Sequence, residues 1–215
     1  MSPAAHREIA AVVLAAGASS RMGRPKALLD FDGRTCLDLV LAACAGAHPA
    51  VNTAILVTAA GPAGDPVRAA AAAAPLPVTH ALNHHPERGM LSSLQAGLRC
   101  LPSSCTAFLI YPVDTPLVRA ADVSLLTSTF QPDAGPTVLV PSFDHRRGHP
   151  VLAAARLAPA FLALDADDRT TSARAVFTSE ADRTLYLPAP DDRVLGDMDT
   201  PEDYARCLAR YRAGG

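Results

Sequence analysis

Short, unbroken apolar runs alternate along the chain with longer stretches that read as helices. "IAAVVLAA" (9–16) holds a buried parallel strand over 12–15. "NTAILVTA" (52–59), "PVTHAL" (77–82), "TAFLIYPV" (106–113) and "TVLVPS" (137–142) continue the series, with 106–113 as the central strand. Helices fall between them. In "TCLDLVLAACAG" (35–46) Thr35 is placed to cap and Gly46 to terminate. Residues 65–74 are alanine-rich, with Pro66 in the first turn and Pro75 as the stop, and 90–101 and 120–130 follow. Beyond 142 the rhythm breaks. "SFDHRRGHPVLA" is expected to be a loop or a hairpin returning through Pro150 to Leu152. Helices are then expected over 154–164 and 171–177, a short strand over 185–187 and a last helix over 201–211. This alternation predicts an α/β fold, an open and mostly parallel sheet with helices on both faces. In such sheets ligands sit at the carboxyl ends of the strands.

One stretch spends its backbone on chemistry. "LAAGASSRMGRPK" (14–26) leaves the first strand and at once collects glycines, serines and the cations Arg21, Arg24 and Lys26. Backbone N–H groups and cationic side chains so arranged hold an anion. The plain alternative is a solvated surface turn. The loop has neither the G-K-[ST] ending of a Walker loop nor G-x-G-x-x-G, which disfavours a P-loop NTPase and a dinucleotide site.

Composition narrows the classes further. The length of 215 residues suits one domain, and a net charge of −2 offers no basic surplus for nucleic acid. No apolar run approaches the ~20 residues of a membrane span. Five cysteines, an odd number with no C-x-x-C, argue against a disulfide framework or zinc knuckle and for a reducing compartment. The start, "MSPAAHRE", lacks the basic and apolar regions of a secretory signal. A cytoplasmic protein that binds neither nucleic acid nor membrane is expected.

The 14–26 string resembles the L-A-A-G-x-S-x-R-M-G-x-x-K signature of the MobA-like nucleotidyltransferases. Its L-A-A-G start is more similar to the molybdopterin cytidylyltransferase branch than to the guanylyl branch, which has L-A-G-G. The resemblance covers nearly the whole chain. It implies a three-layer α/β/α sandwich with a Rossmann-like sheet, of the nucleotide-diphospho-sugar transferase type. The single domain would divide into a nucleotide-binding half over about 1–118 and an acceptor-binding half over about 119–215. Leu14, Ala15, Ala16 and Gly17 would lie along the nucleotide, with Arg21 and Lys26 on its phosphates. "NHHPERGMLSSLQAGL" (83–98) resembles the family's N-P-x-x-x-G-M-x-S-S-L-x-A-G segment, which lines base and ribose; this implies contacts from Asn83, Gly89, Ser92 and Ser93. Taken without the resemblance, the two serines could simply cap or cover a helix. His84 and His85 are adjacent, so their side chains point apart, and no third ligand has suitable spacing for a metal site.

Two carboxylates stand out. Asp114 in "YPVDTPLV" follows the central strand, where it could be turn chemistry, a helix cap, or a metal-binding carboxylate facing phosphates held by the first loop. In "DMDTPEDY" Asp199 again precedes Thr-Pro, while Thr200, Pro201 and Asp203 have the makings of a capped helix start. In the resembled family both aspartates serve magnesium, with Asp197 as a less favoured substitute for Asp199. "RRGHPVL" (146–152) resembles the R-G-[HN]-P-V-L element that frames the acceptor, placing Gly148 and His149 beside it and Arg146 or Arg147, here Arg147, on its phosphate. His149 is expected to position rather than to act as a base, because an acceptor phosphate is already a nucleophile near neutral pH. On the acceptor side the molybdopterin branch carries G-D-x-G-A-R, where this chain has "DADDRTTSAR" (165–174): an aspartate and the closing A-R remain, and the glycines do not.

The implied activity is Mg2+-dependent transfer of a nucleoside monophosphate from an NTP, CTP favoured, with pyrophosphate release. Arg21, Lys26 and Asp114 would be catalytic, and Asp114 and Asp199 would be the metal ligands. The first expectation for the acceptor is molybdopterin or its molybdenum form, giving molybdopterin cytosine dinucleotide. A sugar phosphate or another small phosphorylated acceptor is the alternative. A non-catalytic carrier of the cofactor is the third reading. A molybdoenzyme or its maturation chaperone would be the protein partner.

Overall fold

In the first strand, β1 (Ile9–Leu14), every side chain is buried, yet successive side chains enter different cores. Ile9, Ala11 and Val13 join one apolar cluster, and Ala10, Val12 and Leu14 join the other. A strand with two buried faces is the centre of a three-layer sandwich. The computed structural model describes residues 8–168 and 170–214; most of "MSPAAHRE", Arg169 within 165–174, and Gly215 lie outside the described residues.

The elements follow in order: β2 (Asp30–Phe31), β3 (Arg34–Thr35), α1 (Cys36–Ala45), β4 (Thr53–Ala59), α2 (Asp65–Ala70), β5 (Val78–Asn83) and α3 (Met90–Leu98). Then come β6 (Ala107–Pro112), α4 (Ala120–Thr129), β7 (Val138–Phe143), β8 (Arg146–Arg147), β9 (Val151–Ala154), α5 (Ala158–Leu162), α6 (Arg174–Ser179), β10 (Thr184–Pro188) and α7 (Pro201–Arg212). The main sheet runs β10-β7-β9-β6-β1-β4-β5, with β8 hung on the end of β7. All its pairings are parallel except those of β9 with its two neighbours and of β8 with β7. One core receives α1, α2, α4 and α7, and the other α3, α5 and α6. The chain is therefore an α/β/α sandwich on a mostly parallel sheet, as the sequence pattern predicts.

Local chemistry explains the best-placed boundaries. Thr35 accepts from Asp38 N at 3.1 Å while the Asp38 carboxylate accepts from Thr35 N at 2.7 Å, a reciprocal cap that starts α1. Thr200 and Asp203 repeat it at the start of α7, with Pro201 in the first turn.

Three departures have physical causes. Asp32 and Gly33, with φ of 54° and 89°, turn a small hairpin between β2 and β3 that the reading above omits; Asp-Gly suits a turn with two left-handed residues. The return through Pro150 becomes a buried strand, β9, inserted antiparallel between β6 and β7. Because Ala154 belongs to that strand, the helix expected over 154–164 shrinks to α5, with Pro159 in its first turn. The helix expected over 171–177 starts later, at Arg174, because Asp168 holds the hydroxyls of Thr170 and Thr171 and the amide of Thr170 in a turn.

α3 lies so close to the sheet that a Cβ at Gly97 would come within 2.4 Å of Val12 Cγ1 and 2.9 Å of Val57 Cγ2. Gly97→Ala should therefore destabilise the fold by about 1–3 kcal/mol through overpacking. Gly17→Ala, with no protein atom within 4 Å of the added carbon, should leave the urea midpoint unchanged. Equal midpoints for the two variants would show that α3 can shift without cost.

Candidate active site

β4 lies on one side of β1 and β6 on the other, so the chain departs from β1 in one direction and comes back on its far side. Loops leaving the carboxyl ends of such neighbours open a crevice between them. Here the two loops begin at Ala15 and Val113, and they are tied together where Val113 N donates to Leu14 O at 3.1 Å. A third segment closes the crevice from the far end of the sequence: Met198 N donates to Asp114 O at 3.1 Å, which fixes the approach to α7 beside the end of β6. The resulting cleft, of about 210 Å3, is lined by Leu14, Ala15, Gly17, Arg21, Lys26, Asp114 and Asp199 among others.

Lys26 is its centre. Its Nζ lies 2.8 Å from Asp114 Oδ2 and 2.7 Å from Asp199 Oδ1, and Arg21 Nη2 lies 3.1 Å from Asp199 Oδ2. The Lys26 side chain is 15% exposed and that of Asp114 23%, whereas Arg21 is 65% exposed. The lysine pair is therefore the strong one, and the arginine contact adds little in water. Burial by itself would lower the Lys26 pKa, but the two carboxylates outweigh it and hold the pKa above the ordinary value. Chiefly the hydrogen bond from Lys26 holds the Asp199 carboxyl below its ordinary value, against a smaller opposing effect of burial. Asp199 is also aimed from behind, since the Asp203 carboxylate accepts from both Asp199 N (3.1 Å) and Thr200 N (2.8 Å). Ser19, absent from the sequence reading, shapes the loop. It adopts a left-handed φ of 50°, and its hydroxyl accepts from Lys26 N at 3.1 Å. The signal was available in a serine beside a glycine loop, but nothing in the pattern singles out one serine of two.

Arg24 faces elsewhere, over the Tyr204 ring at 5.6 Å. Ala16 is buried in the apolar core that receives α3. Asn83, Ser92 and Ser93 are buried and bonded to one another: Asn83 Nδ2 donates to Ser92 Oγ at 2.9 Å and to Ser93 Oγ at 3.0 Å, and Ser92 Oγ donates to Gly89 O at 2.8 Å. Their visible work is to fasten the 84–89 loop to α3. Gly89 itself, with φ of 90°, lies on a second and larger cavity of about 600 Å3, which Arg147, Gly148 and His149 also line. Gly148 packs against the chain near α7: a Cβ there would meet Val194 O at 2.6 Å. His149 is held below its ordinary pKa, chiefly by burial and against the pull of Asp114, Asp197 and the Ile110 carbonyl, so its imidazole is neutral at neutral pH. In the register of β9 against β6, Val151 pairs with Ile110, so His149 stands beside the end of β6 that Asp114 follows, and the two cavities lie side by side. In the segment where the glycines are missing, Asp165 accepts from Asp167 N at 2.9 Å, and the Asp167 carboxylate pairs with Arg88 Nε at 2.7 Å.

Among the described residues no three His, Cys, Asp or Glu side chains gather as a metal-ligand set. The donors at the cleft are two carboxylates that converge on one ammonium. That set fits Mg2+, which takes one or two carboxylates and completes its shell with phosphate oxygens and water.

A glycine- and serine-containing loop with two cations thus meets two carboxylates at the switch point of an α/β sheet. The profile of the MobA-like NTP transferase domain matches residues 11–184, and the chain belongs to that family, of transferases of phosphorus-containing groups. A nucleotidyl transferase from Methanothermobacter thermautotroptrophicus (Mth528) superposes with a TM-score of 0.77 at 23% identity, covering 98% of this chain and 100% of the other. Rv0371c from Mycobacterium tuberculosis superposes with 0.73 at 26% identity, covering 96% and 100%. The same protein in complex with manganese gives 0.69 at 24% identity, covering 94% and 98%. No curated protein matches the chain in sequence.

Without Lys26 the two carboxylates would face each other with no cation between them, which raises their affinity for protons. In the wild type the Lys26–Asp199 contribution is present above the ordinary carboxyl pKa and is lost as pH falls through the lowered value of Asp199. Lys26→Ala should therefore lose stability at neutral pH and recover part of it on acidification to about pH 4, whereas the wild type keeps the Lys26–Asp199 contribution over that interval and loses it only below the ordinary carboxyl pKa. Parallel urea midpoints for both proteins between about pH 7 and 4 would refute the coupling.

Proposed function

We propose that the chain is a Mg2+-dependent cytidylyltransferase that moves CMP from CTP to a phosphorylated acceptor, molybdopterin or its molybdenum form, and releases pyrophosphate. The observation that carries this reading is Lys26, which joins a carboxylate from the end of β6 to one from the start of α7 at the mouth of the 17–26 loop. Two of its three ammonium protons are engaged there, which leaves one for a phosphate oxygen.

On this reading the triphosphate lies along 14–17, with Gly17 exposing backbone to its oxygens. Arg21 and Lys26 neutralise the charge that develops on the departing pyrophosphate. Asp114 and Asp199 would hold Mg2+, which when bound supplies further charge neutralisation at the phosphate undergoing attack. Asp203 keeps Asp199 turned toward Asp114. The acceptor phosphate enters from the larger cavity past His149. Because that imidazole is neutral, positive charge for the phosphate comes from Arg147. No side chain need remove a proton, since a phosphomonoester with its second pKa near 6 is largely dianionic at neutral pH; alignment and charge supply the rate. Activity in the cytoplasm, with a molybdoenzyme or its maturation chaperone receiving the product, belongs to the same proposal.

Pyrophosphate release measured with CTP, GTP, ATP and UTP, each with molybdopterin or with a pool of sugar phosphates, tests it. The expected result is release with CTP and molybdopterin only, and a loss of about hundredfold or more in Asp114→Asn. Lys26→Ala should raise KM for the nucleotide more than KM for the acceptor. Release only with a sugar phosphate would keep the transferase and discard the molybdopterin assignment, while binding of molybdopterin without any release would favour a carrier.

A further inference from the structure

The larger cavity has a wall whose chemistry is uncommon for a site that takes a small, fully polar phosphate ester. Tyr186 projects from β10, the outermost strand of the sheet, and is 44% exposed. The Arg147 guanidinium lies over its ring, 5.2 Å from the centroid. Register makes this possible. Tyr186 pairs across β10 and β7 with Val140, and Arg147 pairs across β7 and β8 with Ser142, so both residues stand over neighbouring positions of one strand. Met90 and Phe177 add apolar surface to the same cavity. At about 600 Å3 it lies in the middle of the range for sites that enclose an extended organic ligand.

We infer that Tyr186 and Arg147 form a stacking wall that selects, as acceptor, a planar heteroaromatic molecule carrying its phosphomonoester on a short arm. An exposed tyrosine ring and a guanidinium plane both bind flat, electron-rich rings by stacking, and they offer a sugar phosphate little beyond one charge. The orientation follows from register. Val151 pairs with Ile110, so His149, which lines this cavity, stands beside the end of β6 that Asp114 follows, and the phosphate end lies toward His149 and the ring toward Tyr186. The arrangement also gives Arg147 two tasks, with its charge near the acceptor phosphate and its plane against the ring. The inference rests on the reading of this cavity as the acceptor site and deepens it by naming what sets specificity there.

The chain contains no tryptophan, so Tyr186→Trp places a single reporter in the wall. Leu185→Trp places one on the opposite face of the same strand, since neighbouring side chains alternate. A 6-substituted pterin phosphomonoester should quench the indole in Tyr186→Trp and leave the Leu185→Trp control unaffected once absorbance is corrected, and ribose phosphate should quench neither. By equilibrium dialysis, Tyr186→Ala should weaken binding of the pterin phosphomonoester about tenfold and that of ribose phosphate hardly at all, with Tyr186→Phe close to wild type. Equal quenching at both positions, or an equal loss for the two ligands in Tyr186→Ala, overturns the stacking wall. Pyrophosphate release is scored separately. A selective quench without turnover on any acceptor supports the wall and counts against the transferase proposal, whereas turnover on ribose phosphate without a quench does the reverse.

Discussion

Everything at the cleft depends on one partly buried ammonium. Lys26 reaches from the loop after β1 to a carboxylate at the end of β6 and to another at the start of α7, so three segments far apart in sequence meet at a single nitrogen. Two carboxylates converging on one nitrogen would repel each other without it and take up protons more readily. With it, each segment gains a fixed position and the site stays charged. The rest of the architecture serves this contact. β1 and β6 run parallel and adjacent, so their loops leave from one edge, and the reciprocal Thr200–Asp203 cap both starts α7 and turns Asp199 inward.

The antiparallel strand β9 divides the labour. A purely parallel sheet would have carried β7 directly beside β6. Inserting β9 moves β7 and β10 outward by one strand, and Asp144 and His145, both at positive φ, turn the chain from β7 into β8. The charged cleft lies over β1 and β6, and the larger cavity lies over β7, β8 and β10, with His149 at the junction. One sheet thereby presents two neighbouring sites of different character, one rich in charge and small, the other larger and partly apolar.

Much of this was legible in the sequence because local and global signals agree. Thr35, Thr200 and Pro201 marked helix starts by chemistry that acts within one turn, and the unbroken apolar run at 106–113 marked a strand buried on both faces. Arg21, Lys26, Asp114 and Asp199 were legible as a group because they follow strand ends or precede a capped helix. What the sequence hid is tertiary. "VLAA" at 151–154 carries no periodicity that separates a strand from a helix start, and only its fit between β6 and β7 decides. Asn83, Ser92 and Ser93 look like ligand contacts on a motif, yet their hydrogen-bonding capacity is largely consumed within the protein. Tyr186 was invisible as a site residue because nothing in "TLYLP" says that Arg147 will lie over its ring.

The charge balance of the cleft has a consequence for how it engages its substrate. Arg21 and Lys26 are paired with Asp114 and Asp199, so the four side chains together carry no net charge, while the whole chain carries −2. A cleft so balanced exerts little long-range pull on a free polyanion; such attraction grows with an excess of one sign. It favours instead a ligand that brings both signs, phosphates for the two cations and a divalent ion for the two carboxylates. On the proposed reading, Lys26 takes a phosphate oxygen with its third proton while Arg21 exchanges its carboxylate partner for phosphate oxygens, so no cation is left unpaired and the carboxylates do not face each other bare. Because every ion pair broken at the site is replaced by another of the same kind, the desolvation cost that isolates buried charges is largely avoided. Specificity can then be left to the second cavity, where shape and stacking discriminate better than charge.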